Sequence, residues 1–595
     1  MRTFRATILT ASVLACSATA LSGCSNADPN NSGSAIEDGE QAGEIGLALS
    51  VGSVTINVAS YTIVGPDAFS KTGSLDLTNS TTLSATIGGI PAGIGYSISL
   101  SASATDGATT CAGSASFDIT AHSATPVTVA LTCHQPARNG SVQVNGSLNV
   151  CPVLDSLSAN PAEVIVGHSL GLSASAHDSD SGPAALGYSW SASSGTIANG
   201  TSATPSFLCT APGTTTITVS ATDGDPAASC HDTAAVTVKC SLPGAGNTAP
   251  STLAVYGDAP YGTSPTDTSQ NLATPAFINS INVDPDVSLV LHTGDTHSGK
   301  QYCTEEYNHL IFDMWKAYQD PLVYTPGDNE WTDCNKAAQG GGIYNASTGM
   351  IDYVLVNGVA ASYANGDPVA NLALVRSIFY AQPGTTLGAP KQVLSQAQYF
   401  NPAFPSDAKY VENVMFEQSK VLIVTVNVPG GSNNDTDVWY AAPTASAAQL
   451  QEVAERSGAA LRWLDAAFTQ AQANGDVAVL VMLQADMWDP EKGAAHQAEY
   501  EPFVQSLATH TNAIGKPVLM FNGDSHVYKT GNPFDPADST YSVHPGYTVP
   551  NFHRIVVHGS TFPLEWLKFT INPTVNAPRS ATTFGPFAWS RQIQP

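Results

Sequence analysis

From residue 252 onward, apolar runs of strand length repeatedly end in residues of metal-ligand type. LAVY (253–256) runs into Gly257-Asp258, VSLVLHT (287–293) into Gly294-Asp295-Thr296-His297, and PLVYTP (321–326) into Gly327-Asp328-Asn329-Glu330. VAVLVML (477–483) is followed by Gln484-Ala485-Asp486, and PVLMFN (517–522) by Gly523-Asp524-Ser525-His526. Between these runs lie segments of helical spacing, EEYNHLIFDMWKAY (305–318) and AAQLQEVAERSGAALRWLDAAFTQAQA (447–473). Strands interleaved with helices predict a layered α/β domain over residues 252–595. In such domains the loops at the carboxyl ends of the strands converge on one crevice. A glycine before an aspartate permits a tight turn, and one such dipeptide is common turn chemistry. Several acids brought to one crevice repel one another unless a cation sits between them. The stretch YTPGDNEWTDC (324–334) has two readings on its own, a solvated turn or a metal-binding loop. The other strand ends favour the second.

Upstream the pattern is different. SVTINVASYTIVG, GYSISLSASAT and TPVTVALTC are short β-type runs separated by Gly, Pro, Asn and Asp, and predict an all-β sandwich over 44–136. GLSASAHDSD, GYSWSAS, TTTITVSATDGDP and AAVTVKC repeat the style over 140–241 and resemble the Ig-like domains of bacterial surface proteins, the PKD type in particular. The acids Asp178, Asp180, Asp223 and Asp225 read as turn residues, with calcium as the other use. SLPGAGNTAPS predicts a linker over 242–251 by composition.

The N-terminus carries Arg2 and Arg5 followed by an uncharged apolar stretch from Ala6 to Leu21, a secretory signal too short to rank first as a membrane span. It closes in Leu21-Ser22-Gly23-Cys24, which resembles the lipobox of bacterial lipoproteins. That resemblance implies a signal peptide over 1–23, lipid on Cys24 and a flexible tether over 24–43; an ordinary signal peptide containing a cysteine is the alternative. The chain is then expected to be exported, anchored to a bacterial membrane through lipid alone, and outward-facing or periplasmic. Lys+Arg number 21 against Asp+Glu 48, a net charge of −27, which argues against nucleic acid and anionic membrane surfaces as partners. With Cys16 in the signal and Cys24 lipidated, eight of the ten cysteines remain, an even number that predicts disulfides. Position along the chain suggests Cys111–Cys133 and Cys303–Cys334, with Cys151, Cys209, Cys230 and Cys240 pairing among themselves.

The order Asp258, Gly294-Asp295, Gly327-Asp328-Asn329-Glu330, Gln484, Gly523-Asp524-Ser525-His526 resembles the calcineurin-like metallophosphoesterases. With GDNEWTDC in the third motif, it resembles a bacterial variant of that family. The resemblance covers residues 252–595 and implies an α/β/β/α sandwich, so the whole chain is expected to be multidomain, two all-β sandwiches followed by this α/β domain. It implies two divalent metal ions held by Asp258, Asp295, Asp328, Gln484, Asp524 and His526, with Asp295 bridging. It also gives a purpose to Cys303 and Cys334, a disulfide tying two metal-bearing loops together. The chain departs from the family in two places. The histidine two residues after the first aspartate is absent, since Asp258 is followed by Ala259-Pro260, and Asn329 stands where the family has the histidine that contacts phosphate. The donor set has moved from nitrogen to oxygen, which favours manganese or magnesium ahead of zinc or calcium.

The activity so implied is hydrolysis of phosphate esters, of a phosphorylated small molecule or polymer, by a water activated between two cations. Asn329 is the expected phosphate contact and His297 the expected acid for the leaving oxygen; Glu330 is expected to orient neighbours, and Trp331 and Trp488 to pack beneath loops. The alternative is a catalytically degenerate, metal-binding surface or adhesion protein, with the β-sandwiches taking a cell-surface ligand. Every altered position keeps a ligating oxygen, which favours the enzyme.

Overall fold

The computed structural model describes residues 42–50, 56–76, 82–105, 107–120, 124–134, 149–180, 182–227, 229–433, 437–490 and 492–594. The signal sequence, Cys24 and nearly all of the tether fall outside them. The described residues form a multidomain, predominantly β protein in two compact units divided after Gly146.

The first unit has a five-stranded sheet, in spatial order Ser70–Asp76, Ile56–Val64, Gly93–Ala104, Thr110–Ile119 and Thr132–His134. A three-stranded sheet places Ala42–Ser50 between Thr82–Pro91 and Ala124–Ala130. Period-two alternation turns Ile98, Leu100 and Ala102 inward from one sheet, where they join Ile87, Ile90, Val127 and Val129 of the other in one core. Cys111 and Cys133, directly opposite each other on adjacent strands, form a disulfide. The first strand begins at Ala42, two residues earlier than expected.

The second unit starts with another sandwich of two four-stranded sheets, closed around Trp190, Phe207, Ile217 and Val219 and stapled by Cys151–Cys230 and Cys209–Cys240. Its acids are engaged in turns and by Asn149. Asp223 accepts the Asp225 amide at 3.0 Å, Asp180 that of Gly182 at 3.2 Å, and Asn149 Nδ2 lies 2.8 Å from both Asp223 and Asp225.

Two seven-stranded sheets then stack face to face. One runs Leu387–Gly388, Pro321–Tyr324, Val287–His292, Ser251–Tyr256, Glu565–Ile571, Phe587–Ile593, Thr583–Phe584. The other runs Leu394–Ser395, Val414–Gln418, Val421–Thr425, Ala478–Met482, Val518–Asn522, Phe552–Val556, Lys529–Gly531. Leu253, Val255, Leu289 and Leu291 of the first meet Ile423, Leu480, Met482 and Phe521 of the second in a fully buried inner layer. Helices Ser269–Asn282, Glu305–Trp315 and Pro368–Phe379 cover the outer face of the first sheet. Helices Ala447–Asn474 and Glu501–Ile514 cover that of the second. Thr304 and Ser446 cap two of these helices through their side chains, as a helix start requires.

The segment 242–251, expected as a linker, is not one at its start. Leu242 is fully buried, the Glu417 amide donates to the Pro243 carbonyl at 2.8 Å, and the second sandwich shares a continuous apolar cluster with the α/β layers. One leucine in a Gly/Pro-rich stretch supplies the contact that composition conceals. The four disulfides are those of an exported protein, and no described helix is long and apolar enough to cross a membrane.

Candidate metal centre

The parallel strands ending at Tyr256, His292 and Tyr324 in one sheet, and at Thr425, Met482 and Asn522 in the other, send their following loops to a common edge. The chain turns sharply at the polar residues there. Asp258, Asp295, Asp524 and His526 have φ of 49°, 60°, 70° and 61°, the left-handed region that is strained for residues with a side chain and recurs at functional sites.

These turns bring the expected acids together. The Asp524 amide donates to Asp258 Oδ1 at 2.9 Å, joining loops of the two sheets, and the Asp486 amide donates to Asp524 Oδ2 at 2.9 Å. Asp328 Oδ1 accepts from Gln484 Nε2 at 3.0 Å. Asp328 and Asp524 both face Gly430, where a Cβ would lie 2.7 Å from one carboxylate and 2.8 Å from the other. Asp258, Asp295 and His526 offer ligand atoms that all lie within 4.8 Å of one another. Asp295 Oδ2 is held by the Tyr261 hydroxyl at 2.7 Å and by Asn329 Nδ2 at 3.0 Å. The Tyr261 oxygen also lies 3.2 Å from His526 Nε2.

The cluster is short of positive charge. Among the described residues no Lys or Arg pairs with Asp258, Asp295, Asp328 or Asp524; Lys336 is taken by Asp333 and Asp437, and Arg554 by Asp486. Asp258 is fully buried and its Oδ2 has no hydrogen-bond partner among the described residues. Burial, then repulsion from Asp524 and Asp328, holds the Asp258 carboxyl well above the usual carboxylate range. Burial, then Asp328 and Glu330, does the same to Asp295. Burial and Asp524 push Asp328 up to about 6, against the opposing pull of Lys336, and burial pushes Asp524 up to about 7. A buried carboxylate without a countercharge costs several kcal/mol. The residues present therefore fit divalent cations, which would supply the missing charge.

Glu330 orients its neighbours, accepting from the Thr296 amide at 2.6 Å, the Gly327 amide at 3.0 Å and the Tyr324 hydroxyl at 3.0 Å. Trp331 and Trp488 are fully buried beneath the loops, and the Cys303–Cys334 disulfide joins the segments following Asp295 and Asp328.

Three expectations need correction; one is Asn329 as a phosphate contact, since its Nδ2 lies 3.0 Å from Asp295 Oδ2 and its Oδ1 accepts from Gln339 Nε2 at 2.7 Å. His297 does not face the carboxylates. Its Nδ1 meets the Ser298 carbonyl at 3.1 Å, its ring packs edge-on against Tyr307, and a ring nitrogen lies within 4.8 Å of both disulfide sulfurs. Burial lowers its pKa to about 4, so it is a neutral imidazole near pH 7 and not the imidazolium that an acid for the leaving oxygen requires. Gln484 does not offer its oxygen to a cation, because Oε1 is occupied by the Gly430 amide at 2.5 Å and its nitrogen faces Asp328. It is a donor to a ligand.

Tyr261 and the Pro429-Gly430-Gly431 turn are the participants the sequence did not disclose. The signal for the second was present, a strand (421–425) running into Gly-Gly without an acid. Its chemistry lies in its backbone and its lack of side chains.

No protein-family model matches the chain, and no curated protein matches it. Among solved structures, a Bacteroides fragilis protein with a proposed alpha-galactosidase assignment is 10% identical with a TM-score of 0.12, over 32% of this chain and 40% of its own. The chain thus spans two fifths of that protein's length. The amphioxus IgVJ-C2 molecule is 15% identical with a TM-score of 0.10 over 34% of this chain and 97% of its own. The extracellular portion of mouse CD200RLa is 8% identical with a TM-score of 0.10 over 34% and 95%. Likenesses this loose carry no argument about fold or activity.

Proposed function

We propose that residues 252–595 form a metal-dependent phosphoester hydrolase of the calcineurin-like type in an exported, surface-anchored protein. One observation carries the reading. Asp258, Asp295, Asp328 and Asp524, brought from four loops of two sheets, are buried or half-buried side by side, and among the described residues no Lys or Arg pairs with them. The stacking of two sheets between helices, and the motif order along the chain, support the family resemblance. Asp258, Asp295 and His526 would hold one divalent ion, and Asp328 and Asp524 a second. The oxygen-rich donors favour manganese or magnesium. When bound, the ions supply Lewis-acid charge at phosphorus and an activated water for displacement.

The chain's own residues do the rest. Gln484, itself held by the Gly430 amide, fixes Asp328, the Asp486 amide fixes Asp524, and Tyr261 and Asn329 fix Asp295. The buried wall beneath, with Trp331 and Trp488, excludes water from the back of the site. Lipid on Cys24 would hold the protein at a bacterial membrane, and the sandwiches would meet ligands at the cell surface.

The test is to strip the full chain of metal, restore manganese, magnesium, zinc or calcium separately, and assay aryl phosphate mono- and diesters. Turnover restored by manganese or magnesium is the expected result. Metal binding without turnover under any of the four ions would replace the enzyme by a metal-binding surface protein.

A further inference from the structure

We propose that Gln339 is a positioning residue: through Asn329 it sets the orientation of Asp295, a carboxylate of the proposed cation site. The inference deepens the reading above and rests on it in taking Asp295 as a cation ligand.

Gln339 is fully buried in the short turn Ala337–Gln339, five residues beyond Cys334. That turn is fastened to the disulfide-bearing segment by the Cys303 amide, which donates to the Gln339 carbonyl at 3.1 Å. The Gln339 side chain donates from Nε2 to Asn329 Oδ1 at 2.7 Å. This occupies the oxygen of the Asn329 amide and leaves its nitrogen toward the cluster, 3.0 Å from Asp295 Oδ2 and 2.9 Å from the Tyr261 oxygen. Tyr261 in turn donates its hydroxyl proton to the same Asp295 oxygen at 2.7 Å.

The directions in this chain are mutually dependent. An amide can be turned end for end with little change of shape, yet the two ends are opposite in charge and in hydrogen-bonding role. Were Asn329 reversed, its oxygen would sit against Asp295 Oδ2, and the Tyr261 proton is already committed to that carboxylate. An oxygen there would repel Asp295 and compete with it for a cation. Gln339 removes the choice by donating to Asn329 from behind. The Asn329 side-chain amide and the phenol on Oδ2, with the Asn329 backbone N–H on Oδ1 at 3.3 Å, then leave Asp295 with a fixed plane, so its remaining lone pairs point to one place. Catalytic and metal sites depend on such support, and loss of it typically costs on the order of tenfold to a hundredfold in metal affinity or activity. Asn329 was expected to contact phosphate; in the structure both of its amide ends are already engaged.

The experiment is a double-mutant cycle read by Mn2+ binding in the full chain, using competition with a chromophoric chelator, with aryl phosphate turnover measured alongside. Gln339→Glu cannot donate and inverts Asn329, and Gln339→Met keeps the volume while removing the pin. Affinity should fall in the order wild type, Gln339→Met, Gln339→Glu, the last by on the order of tenfold or more. In an Asn329→Ala background neither change at Gln339 should move the affinity further, because the group it acts through is gone. A merely structural role would give the same loss in both backgrounds, and that result overturns the proposal, as does a Gln339→Met protein that binds Mn2+ like wild type. Coupling in metal binding without any turnover leaves this proposal standing and removes the hydrolase. Turnover without coupling does the reverse, and a wild type that binds no Mn2+ overturns both.

Discussion

Replacing Asp328 by asparagine should make the metal-free protein more stable and the metal-loaded protein less so. Asp328 is 8% exposed and titrates near 6 in the folded chain against 3.8 for a free carboxyl. Each decade is worth about 1.4 kcal/mol, so the ionised Asp328 costs the folded state about 3 kcal/mol once the pH lies above 6. Asparagine keeps the acceptor that Gln484 uses, at 3.0 Å, and removes the charge. The sign follows from proton uptake. The raised folded value means that the folded state holds more protons than the unfolded chain between 3.8 and about 6, so wild-type stability falls as pH rises through that window. The variant does not share that fall. Urea unfolding in EDTA, followed by tryptophan fluorescence, reports the right region, since seven of the eight tryptophans lie beyond residue 252. At about pH 7.5 the Asp328→Asn midpoint should lie above wild type by the equivalent of about 3 kcal/mol, and near pH 4 the two should coincide. Saturating Mn2+ should reverse the order at the higher pH, because only the ionised acid gains from the cation. A variant less stable than wild type in EDTA at about pH 7.5 would refute the reasoning, for the carboxylate would then be satisfied within the protein.

Gly430→Ala should abolish or greatly weaken metal binding while leaving the fold intact, since the new Cβ would meet the Asp328 and Asp524 carboxylates at 2.7 and 2.8 Å; Mn2+ titration and circular dichroism check it. The Asp476 carboxyl, buried and then repelled by Glu417, is pushed up to about 8. The folded state therefore holds an extra proton between 3.8 and 8, and wild-type stability should fall across that window by about 1.4 kcal/mol per pH unit relative to Asp476→Asn; parallel slopes in Mn2+-loaded protein would contradict this. Replacing Cys303 and Cys334 together by alanine opens a loop spanning 31 residues and should cost about 3 to 4 kcal/mol in thermal unfolding, with loss of Mn2+ affinity as the Gln339 turn loosens.

Much of the α/β region could be read from residue patterns, because strand length, helical spacing and the acids at strand ends are local properties. The convergence of Asp258, Asp295, Asp328 and Asp524 followed from one general rule about where parallel strands deliver their loops. What failed was direction. His297 stands two residues after Asp295, close enough in the chain to be a partner, but the left-handed turn at Asp295 sends it to Tyr307 and the disulfide. Gln484 has the right position, yet a backbone amide two loops away decides which of its ends faces Asp328. Tyr261 belongs to an apolar-looking stretch, APYG, and only the tertiary fold reveals that its hydroxyl lies among the ligands. Leu242 hides in a segment whose Gly and Pro content suggests a free linker.

The centre is assembled against the fold's own preferences, with like charges buried together on backbone held in a strained region. Something rigid must oppose the tendency of these loops to separate. The inner apolar layer supplies part of it, since the strands that carry the loops are fully buried there. The remainder is local and polar. Arg456 is fully buried, donates to Asn433 Oδ1 at 2.6 Å and to its carbonyl at 2.9 Å, and places its guanidinium 5.3 Å from the centre of the Trp331 ring. It thus joins the glycine turn beside Asp328 to the loop that contains Asp328. Its charge is balanced by Glu452 on its own helix, one turn away, and so adds nothing to the cluster. A cation placed among the acids themselves would satisfy them and occupy the site. The countercharge sits in the second layer, where it braces the loops and leaves the centre for an ion.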